Sequence, residues 1–256
     1  MARVFVTGSS SGLGLMAGEL LVEQGHRVVL HARNPARADE TRRALPQAEA
    51  VVVGDLASVA GARGVADEAN KLGRFDAIIH NAGVGYREAR INTADGLPHV
   101  FAVNVLAPYV LTALIERPDR LVYLSSGMHR GANARLDDLT WTKRAWNGAQ
   151  AYAESKFLDV LIAFAVARRW PDALSNALEP GWVATRMGGP SAPDDLDQAH
   201  RTQVWLAVSD EPEARVTGKY FRYKRQRAPD PHTDSIELQD RLIAECARLS
   251  GVALPD

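Results

Sequence analysis

Short runs of consecutive apolar residues, separated by stretches of helical length, constrain this chain more than any other feature. Residues 3–7 carry Val4, Phe5 and Val6, and residues 27–31 carry Val28, Val29 and Leu30. The same pattern recurs at 50–53, 75–80, 120–125, 174–178 and 218–223. Unbroken rather than alternating apolar strands belong to sheets buried on both faces, hence to a parallel sheet with helices on each side. The intervening segments have helical spacing: 12–24, with Leu13, Met16, Ala17, Leu20 and Leu21, then 35–44, 58–72, 93–116 with a break near Pro108, 149–170, 194–208 and 233–249. The fold predicted is α/β, a doubly wound sheet of about seven parallel strands. The 256 residues read as one domain, with a polar stretch at 127–150 as an insertion.

Composition narrows the class. Thirty basic against 31 acidic side chains give a net charge of -1, which argues against a nucleic-acid partner. One cysteine, Cys246, supports neither an internal disulfide nor a zinc site; a buried, inert thiol is expected. No signal peptide or membrane span is read, so the expectation is a cytoplasmic protein with no membrane partner.

Between the first strand and the first helix runs Thr7-Gly8-Ser9-Ser10-Ser11-Gly12-Leu13-Gly14. Glycines in such a turn permit tight folding, close backbone approach to a pyrophosphate, and close helix–strand packing. The N–H groups opening the helix then face the anion. The second strand ends His31-Ala32-Arg33-Asn34, with no acid before Asp39. An acid there would bind a free ribose 2′-hydroxyl; Arg33, 25 residues after Gly8, suits a 2′-phosphate. NADP (NADPH) is therefore expected in preference to NAD.

Tyr152-Ala153-Glu154-Ser155-Lys156 opens the long helix. Four residues apart, the phenol and the ammonium share a face. A nearby cation favours phenolate, so Tyr152 is expected to have a lowered pKa and to exchange protons near neutrality.

Together these motifs resemble the short-chain dehydrogenase/reductase family, in its compact single-domain branch, over nearly the whole chain. The resemblance rests on Thr7-Gly8-x-x-x-Gly12-x-Gly14, Asp55 after strand three, Asn81-Ala82-Gly83 after strand four, Asn104, Ser125-Ser126, Tyr152-x-x-x-Lys156, and Pro180-Gly181 with Thr185, in that order. It implies hydride transfer between nicotinamide and a small-molecule carbonyl or alcohol. Tyr152 would be the general acid in reduction and base in oxidation. Lys156 would lower its pKa and bond the nicotinamide ribose, Ser126 would bond the substrate oxygen, and Asn104 would hold a water in a relay to Lys156. Gly8, Ser10, Ser11, Gly12, Leu13 and Gly14 would cradle the pyrophosphate, with Arg33 at the 2′-phosphate. Asp55 and Leu56 would lie at adenine, with Asn81, Ala82 and Gly83 along the adenosine side. Pro180, Gly181, Val183 and Thr185 would meet the carboxamide. A homodimer or homotetramer through the helices carrying Asn104 and Tyr152 is also implied, although Phe157, Leu158, Leu161 and Phe164 could equally be intrachain core. A non-catalytic nucleotide sensor on the same scaffold is the alternative; the intact Asn104, Ser126, Tyr152 and Lys156 favour the enzyme.

Ser126 and Tyr152 are 26 residues apart, more than in many members. Gly127-Met128-His129, Leu136-Asp137-Asp138-Leu139 and the later Gly218-Lys219-Tyr220-Phe221 are similar to the retinol-dehydrogenase-like branch. No membrane-anchoring N-terminal segment of the kind common in its vertebrate members is read, which argues against a membrane-borne retinoid. Met128, His129, Trp141, Trp146, Trp182, Met187 and Trp205 are candidate pocket walls, favouring an apolar or aromatic substrate. His129 lacks further ligands at metal spacing, so no metal is expected. Lys224-Arg225-Gln226-Arg227 reads as a solvated turn.

Overall fold

In the computed structural model, residues 1–133 and 136–256 are described; Ala134 and Arg135, inside the expected insertion, lie outside the described residues. Among the described residues the strands form one eight-stranded sheet, ordered β3-β2-β1-β4-β5-β6-β7-β8. They are β1 (Arg3–Val6), β2 (Arg27–Ala32), β3 (Ala50–Val53), β4 (Ala77–His80), β5 (Arg120–Leu124), β6 (Leu174–Leu178), β7 (Tyr220–Arg222) and β8 (Arg225–Arg227). All neighbours from β3 to β7 pair in parallel; β8 turns back antiparallel to β7. The eighth strand is the basic run expected to be a solvated turn. The turn itself is Tyr223-Lys224, both at positive φ, the conformation a two-residue hairpin needs.

Side-chain alternation explains the apolar runs. Val4, Val6, Val28, Leu30, Ala77, Ile79, Val122 and Leu124 enter one core. Phe5, Val29, Ile78, Leu121 and Tyr123, between them in the chain, enter the other. Helix α1 (Gly12–Glu23), α2 (Pro35–Ala44) and α8 (Arg201–Val208) cover the first face; α3 (Val59–Lys71), α5 (Ala107–Leu114), α6 (Gly148–Arg169) and α9 (Ile236–Ser250) cover the second. Burying a side chain such as Phe5 contributes about 1.5–3 kcal/mol.

Two helical segments differ from expectation. The one expected over 93–116 starts as α4 (His99–Phe101), runs through a π-helical turn (Ala102–Leu106), and continues as α5. Ala107 N–H donates five residues back, to Ala102. Pro108 has no N–H to return to the Asn104 carbonyl, so the α-ladder cannot run through unaltered. The segment expected over 194–208 is α7 (Leu196–Ala199) followed by α8, joined at His200.

Helix α6 is buried from Ala151 to Val166 on all sides. Phe157, Leu158, Leu161 and Phe164 share one core with Leu242, Ile243 and Cys246 of α9, which packs against α6. That helix is capped by Ser235, whose hydroxyl accepts Leu238 N–H, and ends at Gly251 with φ +62°. The tail beyond stays attached: Tyr109 donates to the Val252 carbonyl (2.8 Å) and the Trp170 indole to that of Pro255 (2.8 Å). No helix among the described residues is long and apolar enough to cross a membrane.

Candidate active site

The glycine-rich turn leaves β1 and enters α1. Gly8 has φ +61° and Gly12 φ +57°, a region that favours glycine. A Cβ on Gly8 would lie 2.6 Å from the Ala82 backbone, and one on Gly14 would overlap the Asn81 amide. Asn81 explains that closeness: its Nδ2 donates to the carbonyls of Thr7 (3.0 Å) and Gly8 (3.1 Å). The Thr7 hydroxyl in turn accepts the N–H groups of Asn81 and Ala82, each at 3.0 Å. Asn81 thus fastens the turn to β4. Gly12 faces open space, and Ser11 caps α1 without a side-chain hydrogen bond. An anion can approach the N-terminus of α1 there, so the residues present fit a nucleotide pyrophosphate.

His31, quoted in the sequence only as the end of a strand, carries the other side of the turn. Its Nδ1 accepts Gly8 N–H (3.0 Å) and its Nε2 donates to the Gly54 carbonyl (2.9 Å). The neutral ring with its proton on Nε2 meets both demands. Burial lowers its pKa, against the Gly54 hydrogen bond and the Asp55 charge. Ser9 is wholly buried and donates to the Val6 carbonyl. Arg33 is exposed at the end of β2, and Arg37 donates to Glu40 (2.5 Å). Asp55 is exposed and accepts Ala57 N–H, while Leu56 beside it is buried.

At the C-terminal ends of β4, β5 and β6 the remaining residues converge. The Ser125 hydroxyl is buried and donates to the Lys156 main-chain carbonyl (2.7 Å). Ser126 is half-buried, and its hydroxyl is close enough to Tyr152 to favour the phenolate. It also accepts Met128 N–H (3.3 Å). Lys156 donates to the Leu124 carbonyl (2.7 Å) and to the Asp159 carboxylate (2.8 Å), and its ammonium lies 5.8 Å from the Tyr152 ring centroid. The Asn104 side chain is fully committed: Oδ1 accepts Val84 N–H (2.8 Å), and Nδ2 donates to the Val84 carbonyl (3.1 Å) and the Ser155 hydroxyl (2.9 Å). Gly83 lies beside both Asn104 and Lys156.

The lowered tyrosine pKa expected from sequence is not found. Burial pushes Tyr152 upward; Lys156 and Ser126 pull it down, while Asp159 and Tyr86 push it up, and the net shift is upward. Burial pulls the Lys156 ammonium down, but Asp159 and Tyr152 more than offset it. Burial raises the Asp159 carboxyl to about 6 against the pull of Lys156. The Lys156–Asp159 pair is therefore ionised at neutral pH. A carboxylate three residues on from the lysine lies on the same helix face; that signal stood in the sequence.

The loop after β6 closes the site. Pro180 is half-buried, and Gly181 has φ +93°. Asp194 accepts Trp182 N–H (2.6 Å) and pairs with Arg222 (3.1 Å). Val183 is buried, and the Thr185 hydroxyl accepts Gly188 N–H (3.2 Å). Trp182, Met187 and Met128 are exposed, and Met187 packs against Gly85. Tyr86 meets Tyr152 edge-on at 5.9 Å; sequence reading missed it because it lies in a loop without periodicity.

Three expected pocket walls are packing residues instead. His129 is fully buried; its Nδ1 donates to the Ser126 carbonyl (2.7 Å), its Nε2 accepts Asp230 N–H (3.0 Å), and its ring packs against Tyr220. Trp141 packs with Val100 and Ala151. Trp205 is buried on the far face against Phe221. Trp146 is half-buried against Trp141 and donates to the Glu88 carbonyl.

Such a turn beside a Ser–Tyr–Lys corner on a doubly wound sheet defines a class of nicotinamide-dependent oxidoreductases, and the comparisons agree. Residues 2–126 match the model of the short chain dehydrogenase family. The chain is 44% identical to an uncharacterized oxidoreductase, AN7799, of Emericella nidulans, covering 100% of this chain and 99% of that one. It is 32% identical to retinol dehydrogenase 13 of Homo sapiens over 98% of this chain and 85% of that one. A solved structure of an uncharacterized protein from Mycobacterium paratuberculosis superposes with a TM-score of 0.85 at 24% identity, covering 100% of this chain and 96% of that one. This chain belongs to the short-chain dehydrogenase family and is an NAD(P)-dependent oxidoreductase.

Proposed function

We propose that the chain is an NADPH-preferring reductase of apolar or aromatic carbonyl compounds. The observation that carries this reading is the convergence of Ser126, Tyr152 and Lys156 at the ends of β5 and α6, with Tyr152 shifted toward its protonated form. Arg33 supports the cofactor preference, since its exposed guanidinium can grip a 2′-phosphate.

The nicotinamide nucleotide supplies the hydride. Gly8 to Gly14 hold its pyrophosphate, with the backbone along Asn81 to Gly83 beside them. Asp55 and Leu56 border adenine, and Pro180 to Thr185 border the nicotinamide end. Ser126 donates a hydrogen bond to the substrate oxygen and stabilises the charge developing there. Tyr152 gives that oxygen its proton. Lys156 has three ammonium protons; two are taken by Leu124 and Asp159, and the third is left for a ribose hydroxyl. Asn104 acts through its side chain by tying the Val84 loop to Ser155. A relay water would bond its main-chain carbonyl, to which Pro108 returns no N–H. Tyr86, Trp182, Met187 and Met128 give the substrate an apolar surround.

The test is a fluorescence titration of the purified chain and its Tyr152→Phe variant with NADPH and NADH, followed by turnover of an aromatic aldehyde. NADPH should bind more tightly than NADH to both proteins. Turnover should fall by about 10²–10⁴-fold in the variant. Full activity in Tyr152→Phe would remove the assigned proton donor.

A further inference from the structure

His31, at 3% exposure near the end of β2, grips the glycine-rich turn from the side opposite Asn81 on β4. Both polar groups of the Gly8 backbone are committed between them. Its carbonyl accepts the Asn81 amide (3.1 Å), and its N–H donates to His31 Nδ1 (3.0 Å). The Ser9 N–H goes to the His31 main-chain carbonyl (3.1 Å), and the Ser9 hydroxyl accepts the His31 N–H (2.8 Å). An anion at the mouth of α1 therefore meets neither of these donors. It meets the N–H groups that follow them and open the helix. The His31 ring maintains this division. An imidazole nitrogen accepts the Gly8 N–H only while it carries no proton. The Gly54 carbonyl, 2.9 Å from Nε2, draws the single proton of the neutral ring to that nitrogen and leaves Nδ1 as the acceptor. Burial works in the same direction by favouring the neutral ring.

We propose that His31 is a positioning residue for the dinucleotide: the Gly54 carbonyl fixes its tautomer, and its Nδ1 then holds the Gly8 peptide so that the donors opening α1 face the pyrophosphate. The inference rests on the placement of the pyrophosphate at Gly8 to Gly14 and is independent of the substrate. Without an acceptor at the place of Nδ1, the part-buried Gly8 N–H is left unpaired, and the peptide, at φ +61°, turns over to find another partner. Binding must then first restore the turn, and the observed affinity falls with the fraction of molecules that hold it. Ser126, Tyr152 and Lys156 lie on other elements, after β5 and on α6, so the proton-transfer corner is left as it was.

Two replacements separate the ring nitrogens. The side-chain amide of asparagine reaches the place of Nδ1 and supplies an acceptor there; that of glutamine reaches the place of Nε2 and supplies a donor there. Each gives up one of the two hydrogen bonds of the ring, so a residue that only stabilised the fold would affect nucleotide binding equally in both variants. The dissociation constants of NADPH and NADH are measured by fluorescence titration on the wild type, His31→Asn and His31→Gln. His31→Gln should weaken both nucleotides by about tenfold, and by the same factor, because the pyrophosphate is common to them. His31→Asn should stay within about twofold of the wild type. Equal weakening in the two variants, or wild-type affinity in His31→Gln, overturns the proposal. A wild type that binds neither nucleotide would overturn the cofactor reading itself, and this proposal with it. If His31→Gln does not fold, nitrogen-15 NMR of the wild type decides. His31 should carry its proton on Nε2 and show a coupling from Nδ1 to the Gly8 nitrogen across the hydrogen bond, with and without NADPH. Absence of that coupling in the NADPH complex overturns the proposal.

Discussion

Arg33 is the residue on which cofactor choice turns. It stands where the second strand ends, exposed, one turn before Arg37, whose guanidinium is already paired with Glu40. Replacing it by aspartate puts a carboxylate where a 2′-phosphate would sit. Arg33→Asp should weaken NADPH by at least tenfold and leave NADH equal or tighter, checked by the same fluorescence titration; an NADPH affinity that does not move would sink the assignment. Gly8, Arg33 and Tyr152 were singled out in the sequence from their place in a turn, at a strand end and on one helix face, whereas Ser126 was preferred to Ser125 only through the family resemblance. His31, Tyr86 and the packing role of His129 were not legible there. Each depends on a partner far away in the chain: Gly54 and Gly8 for His31, Tyr152 for Tyr86, Asp230 for His129. Asp159 is intermediate, since its helical spacing was visible but its burial was not.

Among the elements, α6 carries most of the consequences. Sequence reading left open whether its apolar side chains face a second copy or the chain's own core. The structure buries Phe157, Leu161 and Phe164 within the chain's own core, with α9 packed against α6, while the segment through Trp141 packs on Ala151 near its start. Arg144 strengthens that second contact by stacking on Trp141 (3.6 Å) and bonding Glu154. With both covers in place, little apolar surface on α6 remains for a partner. The full chain should sediment at the mass of a single copy at micromolar concentration; a stable dimer under those conditions would mean that a different face associates. The π-helical turn before Pro108 was foreshadowed as an interruption, whereas the hydrogen bonds that tie Asn104 within it to Val84 and Ser155 are contacts that no local propensity encodes. The strands were read correctly as doubly buried because their side chains feed two separate cores.

At the scale of the whole molecule, acid sensitivity follows from histidines held neutral. Burial lowers the pKa of His31, His80, His129 and His200, in the case of His80 to about 3. Each takes up a proton less readily when folded than when unfolded. Stability is therefore intact above the unfolded value near 6.5 and is lost as pH falls below it. For His80 alone the loss at pH 5 is about 2 kcal/mol. Asp159 acts in the opposite sense, because its folded carboxyl is raised; its contribution grows as pH falls through about 6 and returns part of the loss. The melting temperature should drop between pH 7 and pH 5, and His80→Gln should flatten that drop. An equally steep fall in the variant would acquit His80.

The two ends of the sheet are unlike each other. At one end β8 shows solvent the side chains of Arg225, Gln226 and Arg227, all exposed. At the other, β3 reads Ala-Val-Val-Val and carries no charge. An uncharged outer strand is a template on which another chain can extend a sheet, whereas a row of guanidinium groups repels one. When this protein is concentrated or refolds from denaturant, strand-by-strand aggregation has one permissive end and one guarded end. In this chain the four residues of β3, rather than the net charge of the molecule, mark the end of the sheet at which such growth would start.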